Sequence, residues 1–369
     1  MSRGSLRPAV AQIRAAELLC LALDVPSLGR GARLATRKPH VDRSAVVDGV
    51  PTTVARPGAG VCWPALVFLN GVTARGRFHP DVERLTDALA RLGFLVLVPD
   101  PPGLATGEIT ERTLTAVNGV VRAAADRPDA RDGRVGLVGV SIGVSLGLLA
   151  AEQPDLAERV TVVAGIAPYL DFSNILRLAT TGHVVDQGRL VPYPRQPFMS
   201  LVFARSLVAS LPPSRGRNEL LSELRRLTDD EPNPLELFRH VDRSKLDPDT
   251  RAVAELLANE SPPRFDAVCA TLPAGIRAAL ERLSPLKEAE RLRAPVEIAS
   301  APHDKYLPLS EARSLALAAA QTSVRLTVTS TLDHAVPTLS LSDLVGLARF
   351  DGWVVRVISA ASHTSGSRE

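Results

Sequence analysis

Gly139-Val140-Ser141-Ile142-Gly143 sets a serine between two glycines in the pattern G-x-S-x-G. Five residues match such a pattern often by chance, so the setting decides. Residues 134–139, RVGLVG, are a short apolar run of strand type, and 142–152 are an apolar stretch of helical length. A serine on so sharp a strand-to-helix turn is lifted above the sheet edge, and glycines two residues either side leave room for the turn. The unpaired N–H groups at the start of the following helix favour negative charge developing beside it. This suits a serine nucleophile that attacks an electrophilic carbon.

Such a serine needs a base at neutral pH. Of the seven histidines, His334 in STLDHAVP follows the last apolar run, 324–330, and opens at the same sheet edge as Ser141. His40 and His363 lie towards the ends, His183 and His240 in the middle of the chain, His79 after the first core strand and His303 beside Asp304. An imidazole base needs an acid to hold its tautomer and stabilise its charged form. Asp304 in SAPHDKYLP follows the run 294–300 and sits on that edge. Ser141, Asp304 and His334 each follow a strand-like run, in that order.

Those residues need a scaffold, and the hydrophobic pattern supplies one. Residues 45–56 alternate around Gly49 as a hairpin of edge strands. The runs 64–71, 94–100, 134–139 and 159–168 are continuously apolar, as in strands buried on both faces. Helical patterns at 80–92, 109–125 and 142–152 separate them, and 101–107, PPGLATG, is a loop. Strands alternating with helices predict a mostly parallel twisted sheet with helices on both faces, its sites at the strand carboxyl ends. After Asp171 the rhythm breaks, and 198–211, 218–227 and 276–283 read as helices of an inserted cap. Strands at 294–300 and 324–330 and helices at 310–320 and 341–359 complete the pattern. The expected organisation is an N-terminal helix and linker at 1–44, a core of 45–171 with 285–360, a helical cap at 172–284 and a flexible tail at 361–369.

Composition narrows the class. The net charge of +3 comes from scattered, balanced acids and bases and gives no footprint for a nucleic acid. Cys20, Cys62 and Cys269 are odd in number and far apart, which implies neither a disulfide framework nor a zinc site and suits a reducing cytoplasm. Residues 135–151 carry no charge, but they are short for a membrane span and hold four glycines, so a buried strand, turn and helix account for them. Val10, Ile13, Ala16, Cys20 and Leu23 recur at helical spacing, giving an amphipathic helix expected to pack on its own protein and not on a membrane.

The pieces FLNGV (68–72), VPDPPG (98–103), GVSIG (139–143), LSPLKEAERLRAPVEIA (283–299), HDKYLP (303–308) and LDHAVP (332–337) together resemble the α/β-hydrolase superfamily, in the branch of serine esterases with a helical cap. The resemblance implies Ser141 as nucleophile, Asp304 as acid and His334 as base; some relatives place the acid instead where this chain has Asp171, at the end of the fourth strand. It also implies an oxyanion hole from the backbone N–H groups of Val72 and Ile142, where many relatives carry His-Gly and this chain Asn70-Gly71. The activity implied is carboxylesterase- or lipase-like hydrolysis of a small ester with an apolar part, without metal or organic cofactor. Acyl transfer or amide hydrolysis would use the same residues. A non-catalytic binding protein of this fold would have no need of all three. The apolar residues Phe198, Met199, Leu201, Val202 and Phe203 are open to two readings, a lid lining or the cap's own core. Arg215, Arg217, Arg225 and Arg226 could bind an acidic substrate, but a solvated helix face is the expected reading.

Overall fold

The computed structural model describes residues 3–23, 28–334, 336–337 and 343–362. Helices α1 (Arg3–Ala22) and α2 (Leu28–Ala35) precede strands β1 (His40–Asp42), β2 (Val46–Val47) and β3 (Val50–Arg56). Alternation follows: β4 (Trp63–Leu69), α3 (Pro80–Arg91), β5 (Leu95–Pro99), α4 (Glu111–Asp126), β6 (Ala130–Val140), α5 (Ile142–Ala151) and β7 (Val160–Ile166). Next come α6 (Phe172–Thr181), the hairpin β8 (His183–Asp186) and β9 (Arg189–Pro192), α7 (Pro197–Ala209), α8 (Arg215–Arg226), α9 (Leu237–His240), α10 (Pro248–Leu257), α11 (Phe265–Ala270) and α12 (Ala274–Arg282). The chain ends with β10 (Val296–Ser300), α13 (Leu309–Ala318), β11 (Val324–Val328), the short β12 (Leu332–Asp333) and β13 (Val336–Pro337), and α14 (Leu344–Ser362).

The central sheet runs β1-β3-β5-β4-β6-β7-β10-β11, with β2 paired to β3. β3 is antiparallel to β1 and β5, and every pairing from β5 through β4, β6, β7 and β10 to β11 is parallel. Successive side chains of a strand point to opposite faces, and β4 shows what that does here. Ala65, Val67 and Leu69 join the core shared with α4, α5 and the segment 172–284, while Leu66 and Phe68 join the core under α1, α3 and α14. Both faces are covered, which is why these strands are apolar throughout.

Several expectations change. β3 is not an edge strand, because β1, which the exposed tripeptide His40–Asp42 conceals in the sequence, pairs outside it. The segment 172–284 contains a hairpin as well as helices; β9 is exposed along its length, so it lacks the apolar signature of a strand. The chain remains helical through Ser362, with Ala361 buried, so Ala361 and Ser362 belong to α14 and not to a tail. Residues 363–369, and with them His363, lie outside the described residues, as do 338–342. No helix among the described residues is long and apolar enough to cross a membrane.

Candidate active site

Ser141 stands where β6 ends and α5 begins, with φ of 53°. That left-handed conformation costs a side-chain-bearing residue energy and persists only where its surroundings enforce it. Here they do. The Ser141 amide donates to the Ile166 carbonyl at 2.7 Å. A Cβ on Gly143 would stand 2.0 Å from the Leu69 carbonyl oxygen, and one on Gly165 would stand 2.5 Å from the Gly139 oxygen. Glycine at these positions lets β4, β6, β7 and α5 close around the turn.

His334 and Asp304 meet across the same sheet edge. His334, also at positive φ (53°), places Nδ1 2.8 Å from Asp304 Oδ2 and 3.0 Å from Oδ1. Asp304 is 3% exposed, and its Oδ1 also accepts from the Tyr306 and Leu307 amides at 2.8 and 3.0 Å. A carboxylate held by backbone donors can be buried without being left unpaired. The Tyr306 ring lies 4.7 Å from the His334 ring, and Phe198 of α7 packs edge-on against Tyr306. Tyr193 donates its hydroxyl to the Asp304 carbonyl. Burial and the Asp304 charge push that phenol up to about 12, so it stays a donor. Among the described residues, no hydrogen bond joins the Ser141 hydroxyl to His334; catalytic contacts of this kind often tighten only with substrate bound.

Asp171, the other candidate acid, is occupied elsewhere. Its Oδ1 caps α6 by accepting from the Ser173 and Asn174 amides at 2.9 and 3.2 Å. Behind it the fully buried Glu311 accepts from the Leu170 and Asp171 amides at 2.7 and 2.9 Å and from the Asn174 side chain at 2.8 Å. Burial pushes Glu311 up to about 7 against the pull of those bonds.

The two residues named for an oxyanion hole, Val72 and Ile142, each follow one of a pair of residues that lie side by side, Gly71 and Ser141. Ile142 is the first residue of α5, where an N–H has no intrahelical partner. The Val72 amide has no backbone partner among the described residues. The neighbouring Gly71 lies against the Ser141 side chain, since a Cβ there would meet Ser141 Cβ at 3.5 Å. Val72 in turn borders Gly107, beside which Val202 of α7 also packs.

Three other histidines make local structural contacts. His79 caps α3 by accepting from the Asp81 amide, and His183 and His240 bond to Thr181 and Glu236. Of the apolar run in α7, Met199, Leu201, Val202 and Phe203 are buried, Phe203 against Phe172 and Tyr169, whereas Phe198 reaches Tyr306. Arg215, Arg217 and Arg226 bond within or next to α8, and Arg225 forms a two-pronged pair with Glu108 at 2.7 Å. No group of three or more His, Cys, Asp or Glu placed to hold a metal ion occurs among the described residues. Sequence reasoning missed Tyr193, Tyr306 and Glu311; Tyr306 stands inside the HDKYLP piece, while nothing in the spacing marks the other two.

No family model and no curated protein matches this chain. Among solved structures, an acylaminoacyl peptidase in complex with Z-Gly-Gly-Phe-chloromethyl ketone superposes with a TM-score of 0.51 at 14% identity, over 90% of this chain and 43% of that one. The uncomplexed acylaminoacyl peptidase of Pyrococcus horikoshii gives 0.49 at 12% identity, over 90% and 43%. Brefeldin A esterase, a bacterial homologue of human hormone sensitive lipase, gives 0.45 at 16% identity, over 96% and 85%. The chain spans less than half the length of those peptidases. The first superposition and the order of the sheet define the class: the chain has the α/β-hydrolase fold.

Proposed function

We propose that this protein is a serine hydrolase that cleaves a carboxylic ester through an acyl-enzyme on Ser141. The observation that carries this reading is the 2.8 Å contact between His334 Nδ1 and the buried carboxylate of Asp304, on the sheet edge where Ser141 tops its turn. Asp304 holds the proton on Nδ1, so Nε2 is the basic nitrogen. Nε2 takes the Ser141 proton as Oγ bonds to the ester carbon, and the oxygen that becomes negative accepts from the Val72 and Ile142 amides. The C–O bond to the alcohol breaks as Nε2 returns the proton to it. Water gives a proton to Nε2 as it attacks the acyl carbon, and the bond to Oγ breaks as Nε2 returns that proton to Oγ, releasing the acid and regenerating Ser141. Each oxyanion donor is worth ~10²–10³ in rate.

The core of this reading is 45–171 with 285–360, and 172–284 is the cap, whose Tyr193 and Phe198 reach the acid loop. An amide would follow the same steps, and the peptidase whose fold this chain shares places amides in the first substrate screen. The test is labelling with a fluorophosphonate, read by mass spectrometry. A single adduct on Ser141, lost in Ser141→Ala, is expected; no adduct on the folded protein would overturn the reading and favour a non-catalytic binding protein.

A further inference from the structure

Between the sheet and the layer of α1, α3 and α14 lies a cavity of about 540 Å³. It is on the face opposite α5 and the segment 172–284. Well-packed interiors leave few voids larger than a water molecule, whereas ligand pockets span ~300–1,000 Å³. The floor is Leu66, Phe68 and Val138 of β4 and β6, and Trp353 of α14 forms part of the wall. These groups suit an apolar occupant. The polar side chains His79, Asp81 and Arg84 gather at the start of α3.

The cavity also borders residues next to the candidate active site, although Ser141, Asp304 and His334 do not themselves line it. Gly71, Val72 and Pro337 line it, the first two from the loop after β4 and the last from β13. Gly71 is the residue that lies against Ser141 Cβ, and Val140, which immediately precedes the serine, lines it too. A group attached to an acyl carbon on Ser141 therefore has this apolar space just behind the Asn70–Val72 backbone.

We propose that this cavity receives the alkyl chain of the ester substrate. The proposal rests on the serine-hydrolase reading for the ester, but the chain site itself can be read without turnover. Leu85 of α3 and Leu19 of α1 are half-buried lining residues on two different helices. Leu85→Trp and Leu19→Trp each fill part of the space, and the melting temperature of each variant reports whether it folds. Two measurements follow, the ratio of kcat/KM for p-nitrophenyl dodecanoate to that for the acetate, and binding of dansyl-undecanoic acid to full-length protein carrying Ser141→Ala. The expected result is a wild-type ratio above one that falls at least tenfold in whichever variant folds, with probe affinity falling alongside. No probe binding to Ser141→Ala, or equal binding with and without the tryptophans, would overturn the cavity assignment even if esters are cleaved at Ser141. Probe binding that the tryptophans abolish, in a protein that cleaves no ester and takes no fluorophosphonate, would uphold the alkyl site and overturn the hydrolase reading.

Discussion

His334 Nδ1 lies 2.8 Å from one Asp304 oxygen and 3.0 Å from the other, and the second of these also accepts two backbone amides. Asp304 follows β10, and His334 follows β11 by way of the short β12; since β10 and β11 are adjacent and parallel, both residues lie beyond the same edge of the sheet. The expected outcome is that Asp304→Asn keeps the fold and lowers kcat by ~10⁴, because the amide turns the imidazole to the wrong tautomer. Asp171→Asn is expected to leave kcat within a few fold and to cost at most ~1 kcal/mol, the scale of a helix cap. Steady-state kinetics on both variants, with urea unfolding, separates them.

Tyr193 predicts a smaller and different effect. Its hydroxyl holds the Asp304 backbone and not the carboxylate, so Tyr193→Phe should loosen the acid loop without removing any reacting group. A hydrogen bond of this kind is worth ~1 kcal/mol, and kcat should fall about three- to tenfold with KM little changed. Since the phenol is pushed up to about 12, the deficit should be constant between pH 6 and pH 10. A pH–rate profile that narrows the deficit within that range would contradict this role.

The turn carrying Ser141 should tolerate almost nothing. A Cβ at Gly143 would stand 2.0 Å from the Leu69 oxygen and 2.7 Å from the Asn70 oxygen, both backbone atoms that a side-chain rotation cannot move. At Gly139, three backbone atoms would stand at 2.9 Å. Gly143→Ala and Gly139→Val are therefore expected to lose several kcal/mol or fail to express, in the range that marks strained backbone and overpacking. A soluble Gly143→Ala protein with unchanged melting temperature would mean that the turn is built differently.

What was legible follows from the same physics. β4 to β7 are buried on both faces, so their apolar runs stand out, and the residues that follow β6, β10 and β11 could be placed on one edge before any distance was known. β1 could not be read because all three of its residues are exposed. Helices α6 and α10 do carry signals, Asp171 and Asp247 accepting from the amides of their first turns with Pro248 opening the second, but short amphipathic helices without a strand rhythm give little periodicity. Tyr193 is 111 residues from the Asp304 it contacts, and only the folded chain brings them together.

Arg205 ties the segment 172–284 to the loop beside Val72. It is 8% exposed, and its guanidinium donates to the carbonyls of Leu224, Thr106 and Leu227 at 3.1, 3.2 and 2.7 Å. The adjacent Ser206 accepts from the Ile109 amide at 2.9 Å. Arg205→Met keeps the aliphatic stem and leaves three carbonyls without this donor. The expected cost is ~2–4 kcal/mol, several hydrogen bonds to a charged group, measured by urea unfolding. The 101–109 loop should open first, seen as faster amide exchange there than in β6.

Stability should fall as pH rises, through two buried carboxyls. Burial, reinforced by Glu288 and Glu290, pushes Glu152 up to about 9, and one of its oxygens has no hydrogen-bond partner. Burial pushes Glu311 up to about 7. Both fold more favourably when protonated, so the native state binds more protons than the unfolded chain above the ordinary value of 4.5. The stability each contributes is whole below that value and declines as pH climbs through the window, to about 7 for Glu311 and about 9 for Glu152, by at most ~1.4 kcal/mol per pH unit for each group. Glu152→Gln removes the charge at the residue that has no compensating donor. It should change little at pH 5 and gain roughly 1 kcal/mol or more over wild type at pH 8.5. Glu311→Gln should behave oppositely at low pH, because an amide cannot accept from Leu170, Asp171 and Asn174 with both of its ends, and it should be less stable than wild type at pH 5. Urea unfolding of the three proteins at the two pH values checks both signs, and equal pH slopes for wild type and Glu152→Gln would show that Glu152 ionises in the folded protein as freely as in the unfolded one.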